Sequence, residues 1–313
     1  MYAGLDEAES AFAAECRAYA AADPAGSPQA ALADSGAVLA DLARHVTGLA
    51  EAARVDGTFA LTLLGNLAVR AVTSALPAGP VGLLLPGDDE PFLAAAGLRA
   101  ERTAAGWSLR GEAVRLGAGT PAAVLAADGD GALLFTLSPD APDWRVTLDG
   151  LPRAEGDLLA TLDPAAMTRV RDLLRTGAAG ILVGLADARL PYLAGTLSRL
   201  AGGRGDRWVG QAAKHRLADV AATRDVAWLE AARAIESSTG AGRGLHSAVA
   251  AHEGLVAVDL LLEEIGRVAG SQADRAELAA AAATRSTTEV LEALLGGRSR
   301  LRDQVTGFLL DAR

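Results

Sequence analysis

The stretch QAAKHRLADVAATRDVAWLEAARA, residues 211–234, gives the clearest indication of the fold in this 313-residue chain. It begins with Gln211, soon followed by three adjacent basic side chains, and then becomes rich in alanine. Its apolar residues recur at helical spacing: Leu217, Val220, Trp228, Ala231 and, just beyond the stretch, Ile235. Such spacing puts them on one face of a helix. The stretch therefore predicts a helix with a polar first part and a packing surface along the rest.

The same helical period runs from residue 163 to the end of the chain. One apolar stripe consists of Met167, Val170, Leu174, Ile181, Leu185 and Ala188, and another of Ala251, Leu255, Val258, Leu262 and Ile265. Gly177, Gly180 and Gly184 stand in the first of these helices, where they favour close helix packing over a functional kink. Four long helices with connections of several residues are typical of an antiparallel bundle.

Residues 80–162 have a hydrophobic period of two instead. GWSLRGEAVRL exposes alternate side chains, and AAVLAAD and ALLFTLS flank a turn at residues 128–131. This pattern predicts five to seven antiparallel strands. The predicted fold is therefore α+β and mainly α, with a helical segment at residues 1–79, an antiparallel β domain at 80–162 and a four-helix bundle at 163–313.

The charge balance excludes several functions. The chain has 39 acidic against 29 basic side chains, a net charge of −10, which repels nucleic acid and anionic lipid. We expect no nucleic-acid or membrane partner. Cys16 is the single cysteine and the start lacks a signal-peptide pattern, so we expect a cytoplasmic protein. His246, His252 and Glu253 are close in the sequence, as metal ligands often are, but they do not provide three ligands at helical spacing. We therefore predict no metal site.

The order of helices, strands and bundle resembles the acyl-CoA dehydrogenase superfamily, and local phrases strengthen the likeness. AERTAAGWSLRGEAVRLGAGTPAAVLAA resembles that family's β-domain hairpin, and WRVTLDGLPRAEGDLLA resembles the strand before its bundle. GAAGILVGLADARLPYLAG is similar to the first bundle helix, and residues 211–234 are similar to the second. The resemblance spans about residues 98–236. It implies FAD as cofactor, an acyl-CoA or carrier-bound acyl thioester as substrate, and an oligomer that buries the outer faces of the bundle.

The family's catalytic base has no counterpart in this sequence. Family members remove the substrate α-proton with a carboxylate, usually in a Glu-Gly-Thr phrase, which is absent here. Alignment on GAAGILVGLAD puts Val170 at the alternative position, and valine accepts no proton. Asp172 lies two residues on, a rotation of about 200° around a helix, so we expect it to point elsewhere. No catalytic residue is identified.

The flavin-binding residues are only partly retained. RLAGGRGDRWVG stands where the family has the Arg-x-x-Phe-Gly turn that meets the FAD pyrophosphate of a neighbouring subunit, with Leu200 at the arginine position and Gly203 at the phenylalanine position. Arg199 and Arg204 are close enough in the chain to substitute for the missing arginine if the loop is shifted. In the β domain, Arg115 and Gly117 stand where the family has an aromatic residue and a threonine beside the flavin. The resemblance thus implies a reduced set of cofactor-binding residues: Gln211, Arg199, Arg204 and Gly270.

Three hypotheses follow from this combination. The first is a flavoprotein subunit of a FAD-dependent acyl-CoA dehydrogenase complex, in which a partner subunit supplies the base. The second is a non-redox enzyme or stand-alone flavoenzyme that reuses the fold. The third is a catalytically silent structural or interaction protein. Because the first helical segment is short for the family, we do not expect this chain to form a complete acyl pocket.

Overall fold

The computed structural model describes residues 7–22, 42–73, 82–86, 98–117, 122–128, 131–137, 144–202, 207–237, 239–272 and 275–311. The described part begins with three helices: α1 (Glu7–Ala22), α2 (Leu42–Ala53) and α3 (Gly57–Arg70). Asp56 caps the start of α3, since its Oδ1 accepts hydrogen bonds from the backbone N–H groups of Thr58 at 2.7 Å and Phe59 at 3.2 Å. Every residue from 59 to 69 is buried, so α3 is a core helix rather than a surface one.

Seven described strands follow: β1 (Gly82–Pro86), β2 (Arg99–Thr103), β3 (Gly106–Leu116), β4 (Ala122–Asp128), β5 (Gly131–Leu137), β6 (Arg145–Arg153) and β7 (Leu158–Leu162). Five of their pairings are antiparallel, as predicted. Strand β4, however, runs parallel to β1 and, at one residue pair, to β2. The sheet is therefore mixed, because β1 and β2 lie beside a strand that comes later in the chain and points the same way.

The two faces of the sheet serve two different cores. Leu84, Leu109 and Phe135 belong to a core made by the strands alone. Alternate residues such as Leu83 and Leu116 point the other way and join the large core shared with the helices. This alternation is the consequence of the period of two that the sequence shows.

The last part of the described chain consists of α4 (Pro164–Gly202), α5 (Arg207–Glu236), α6 (Gly240–Gln272), α7 (Arg275–Leu294) and α8 (Gly297–Asp311). Polar contacts join α5 to its neighbours: Arg224 forms an ion pair with Asp187 on α4, and Oε2 of Glu230 lies 2.6 Å from Nδ1 of His246 on α6. The four long helices α4–α7 confirm the predicted bundle, and α8 is a shorter fifth. The division into three domains at residues 79 and 162 stays a prediction.

Helix α6 has the length and composition of a membrane span over residues Gly240–Val268. It packs along α4, α5 and α8, and 56% of its most apolar window is buried inside the protein. The bundle core therefore accounts for its apolar side chains.

The glycines of α4 lie against α2. A Cβ atom at Gly184 would overlap the carbonyl oxygen of Ala50, and one at Gly180 would stand 2.8 Å from the carbonyl oxygen of Val46. Both obstacles are backbone atoms, which side-chain rotation cannot move. The glycines thus permit close approach of two helix backbones, as the sequence favoured.

Candidate functional site

The position aligned with the family's base lies in the second turn of α4. Val170 is 3% exposed and lines a cavity of about 120 Å³ where the end of α3, strand β7 and the start of α4 meet. The other lining residues are Ala71, Val72, Thr161, Leu162, Ala166 and Arg169. This lining contains no carboxylate, so no described side chain of the cavity can accept an α-proton as a carboxylate base does.

The nearby Asp172 does not line this cavity, as the helical rotation predicted. It is nevertheless buried, and so is Arg175 one turn later. Arg175 donates from Nη2 to Oε1 of Gln304 at 2.5 Å, which links α4 to α8. The burial of these two charged side chains was not predicted from the sequence. Its only signal was the presence of charged residues in an otherwise apolar helical run.

The end of β3 packs directly on α3. Gly117 has a φ of +82°, and a Cβ there would lie 2.5 Å from the Cα of Thr62. A Cβ at Gly65 on α3 would in turn lie 3.3 Å from the carbonyl oxygen of Leu116. Where the resemblance implies a threonine beside a flavin, this chain has a glycine that brings a helix backbone against the strand. Arg115 is partly buried and its backbone N–H donates to the carbonyl oxygen of Trp144 at 2.7 Å.

The remaining predicted site residues lie at the other end of the bundle. Arg199 is in the last turn of α4, about 44 Å from Val170 along the helix axis at 1.5 Å per residue. Gln211 is near the start of α5 and Gly270 in the last turn of α6. Because α5 runs antiparallel to α4 and α6, these three ends meet at one end of the bundle. Arg204 lies outside the described residues.

Helix α5 begins four residues before the stretch from which it was predicted. Its first residue is Arg207. The unpaired N–H groups of the first turn therefore belong to residues 207–210, and Gln211 stands one turn inside the helix. Gln211 and Arg199 are both exposed. Arg199 donates from Nη2 to Oγ1 of Thr196 at 2.9 Å.

The three adjacent basic residues of α5 have different surroundings. Lys214 and His215 are exposed, whereas Arg216 pairs with the buried carboxylate of Glu264 on α6 at 2.9 Å. Burial raises the pKa of Glu264, while the Arg216 guanidinium acts in the opposite direction. Arg267 also donates to this carboxylate, at 2.6 Å. One of the three basic groups thus joins two helices instead of facing a ligand.

Several solved structures share this architecture, although no family model and no curated protein matches the sequence. Butyryl-CoA dehydrogenase from Megasphaera elsdenii is 15% identical, with a TM-score of 0.66 over 99% of this chain and 100% of that one. The ChsE4–ChsE5 complex from Mycobacterium tuberculosis gives 15% identity and a TM-score of 0.71 over 99% of each chain. A glutaryl-coenzyme A dehydrogenase gives 16% identity and a TM-score of 0.68, over 100% of this chain and 98% of that one. The chain has the acyl-CoA dehydrogenase fold.

The shared fold thus covers 99–100% of the chain, whereas the sequence resemblance spans only about residues 98–236. Fold alone does not supply a flavin site. Ligand pockets commonly have volumes of about 300–1,000 Å³, and the cavity beside Val170 has about 120 Å³. At the end of β3, the backbone at Gly117 also lies so close to α3 that a Cβ there would overlap Thr62. The described residues around this cavity therefore enclose too little space for a flavin ring.

Proposed function

We propose that this chain is a non-catalytic, cytoplasmic subunit of a FAD-dependent acyl-CoA dehydrogenase-type complex. The complex acts on an acyl-CoA or carrier-bound acyl thioester, and an acyl-CoA dehydrogenase-like partner subunit supplies the base. The observation that carries the proposal is Val170, a buried valine at the aligned base position. A general base contributes roughly 10²–10⁴-fold to such a step, so the chain alone is a poor dehydrogenase.

The role left to this chain is to complete a site on the partner. Arg199 offers an exposed guanidinium, and Gln211 offers an exposed amide at the same end of the bundle. The first turn of α5 adds unpaired backbone N–H groups and the positive end of a helix dipole. These groups suit the pyrophosphate of a FAD molecule held mainly by the partner. The similarity to a chain of the ChsE4–ChsE5 complex agrees with a heteromeric assembly.

The visible spectrum of the purified protein tests this proposal. We expect no flavin absorption from the chain alone, and a flavin band when it is co-expressed with an acyl-CoA dehydrogenase-like partner. In the same samples, dye reduction by a saturated acyl-CoA should occur only with the partner present. A flavin band and robust dye reduction from the single chain would refute the proposal.

A catalytically silent structural protein is the second candidate. The contact of α3 with β3 favours it, because Gly117 and Thr62 occupy space on the flavin side of the strand. Absence of flavin both alone and with the partner would support this alternative.

A further inference from the structure

The lining of the cavity beside Val170 changes from polar at its rim to apolar at its inner end. Thr161 and Arg169 are exposed and form the rim. Leu162 and Val170, which are 2% and 3% exposed, form the inner end. The other lining residues are half-buried and apolar: Ala71, Val72 and Ala166. A ligand that matches this order has a polar head at the rim and a short apolar tail inside.

Helix α4 directs Arg169 towards the cavity. Ala166, Arg169 and Val170 are spaced three and four residues apart, counted from Ala166, so they share one face of the helix. Among the described residues, the guanidinium of Arg169 has no hydrogen-bond or ion-pair partner. Asp163, the carboxylate nearest in the sequence, caps α4 instead, since its Oδ1 accepts the N–H of Ala166 at 2.6 Å. The rim thus has a positive charge with which no described carboxylate pairs.

The guanidinium at the rim determines which head group fits. Arginine binds carboxylates and phosphates through two parallel N–H···O bonds. A free phosphate has no apolar part to place against Leu162 and Val170, whereas an alkyl carboxylate has one. A thioester carbonyl is neutral and forms no ion pair with Arg169. The ligand that fits is therefore a free carboxylate, which differs from the acyl thioester of the proposed complex.

The volume of the cavity limits the length of the tail. A water molecule occupies about 30 Å³ in the liquid, and the cavity has about 120 Å³, so it has room for about four non-hydrogen atoms. When the two carboxylate oxygens lie at the rim, these atoms are the carboxyl carbon and a tail of about three carbons. Butyrate has this size.

We propose that the cavity binds a free short-chain carboxylate of about four carbons, with the carboxylate on Arg169 and the alkyl chain towards Val170. The site is formed by this chain alone and requires neither flavin nor a partner subunit. It goes beyond the proposed function, because it gives a subunit without a catalytic base a small-molecule ligand of its own.

Ligand-detected NMR titrations of the full chain with sodium salts at constant ionic strength test the proposal. Butyrate should bind about fourfold more tightly than propionate, because one more CH₂ group is buried. Hexanoate should bind roughly tenfold more weakly than butyrate, since its tail is longer than the cavity and overpacks it. Butyramide has the same shape without the charge and should bind at least roughly tenfold more weakly than butyrate.

Variants test each end of the cavity separately. Arg169→Ala should weaken butyrate binding roughly tenfold or more, and Arg169→Lys should weaken it less, because lysine keeps the charge without the planar fork. Arg285→Ala is the matched control, since Arg285 is an exposed arginine on α7 outside the lining, and it should leave the affinity unchanged. Val170→Ala enlarges the inner end and should shift the preferred ligand from butyrate to pentanoate.

Circular dichroism checks that the variants are folded, and a misfolded Val170→Ala would not gain affinity for pentanoate. Absence of saturable butyrate binding, equal affinity for butyramide, unchanged affinity in Arg169→Ala or an unchanged chain-length preference in Val170→Ala would each overturn the proposal. Every titration uses the single chain without flavin. A failure of the flavin experiment with the partner would therefore count against the proposed function and not against this site.

Discussion

Replacing Gly184 by alanine should destabilise the protein although alanine is the better helix former. The new methyl group overlaps the carbonyl oxygen of Ala50, so α2 and α4 must separate. Overpacking of this kind costs about 1–3 kcal/mol, and this contact belongs at the upper end because the obstacle is backbone. The higher helix propensity of alanine offsets about 1 kcal/mol of this cost. We therefore expect a net loss of about 1–2 kcal/mol in the free energy of unfolding.

Gly195→Ala is the matched control on the same helix. A Cβ at Gly195 meets nothing within 4 Å, so this variant keeps the propensity gain without the clash. Urea unfolding followed by circular dichroism should give a higher midpoint for Gly195→Ala and a lower one for Gly184→Ala at similar slope. Equal midpoints for the two variants would show that α2 and α4 are not in backbone contact.

Three further results are expected. Val170→Glu puts a carboxyl into the small cavity, where burial raises its pKa above the unfolded value of about 4.3. The free energy of unfolding of Val170→Glu, relative to that of Val170→Gln, should therefore fall by about 1–2 kcal/mol from pH 5 to pH 7. A difference between the two variants that does not change with pH would contradict the burial of this carboxyl. Burial likewise raises the pKa of Glu264 above 4.5, so the folded state binds the proton of this carboxyl more tightly than the unfolded state. The wild type should therefore lose stability relative to Glu264→Gln as pH rises from about 4.5. Unfolding midpoints of both proteins, measured as pH rises from about 4.5, test whether the stability difference changes in this direction. Arg199→Ala and Gln211→Ala should each lower the flavin content of the complex with the partner. The effect of the arginine change should be larger at low salt, because high salt screens the charge of the guanidinium. Unchanged flavin absorbance in both variants would show that these residues do not belong to the site.

Periodicity predicted the helices and strands because it depends only on which residues face the core. The helix at residues 211–234 and the stripe through Val170 both follow from it. Periodicity does not tell which strands become neighbours, and for that reason the parallel pairing of β4 with β1 was not predicted. Neighbour relations depend on the path of the chain between strands, which local patterns do not encode.

The candidate site was predictable in part for the same reason. Helical periodicity put Val170 on the apolar face of its helix, and the structure has this valine buried beside a cavity. It did not predict that Arg216 pairs with Glu264, 48 residues away on another helix, because such pairs depend on how far each helix is rotated. Nor did it predict the contact of Gly117 with Thr62, which needs the relative placement of a strand and a helix from distant parts of the chain.

Helix α3 lies between the strands and the bundle and fixes one to the other. Gly65 of α3 lies against Leu116 of β3, and Gly117, which follows β3, lies against Thr62 of α3. On another side, a Cβ at Gly57 of α3 would overlap Thr287 of α7. Because α3 packs against the sheet on one side and against the bundle on another, it couples these two parts of the structure. Heat or denaturant should accordingly melt strands and helices in one cooperative step. A fragment starting at residue 163 would lose α3 from its core and expose the apolar surface that this helix covers.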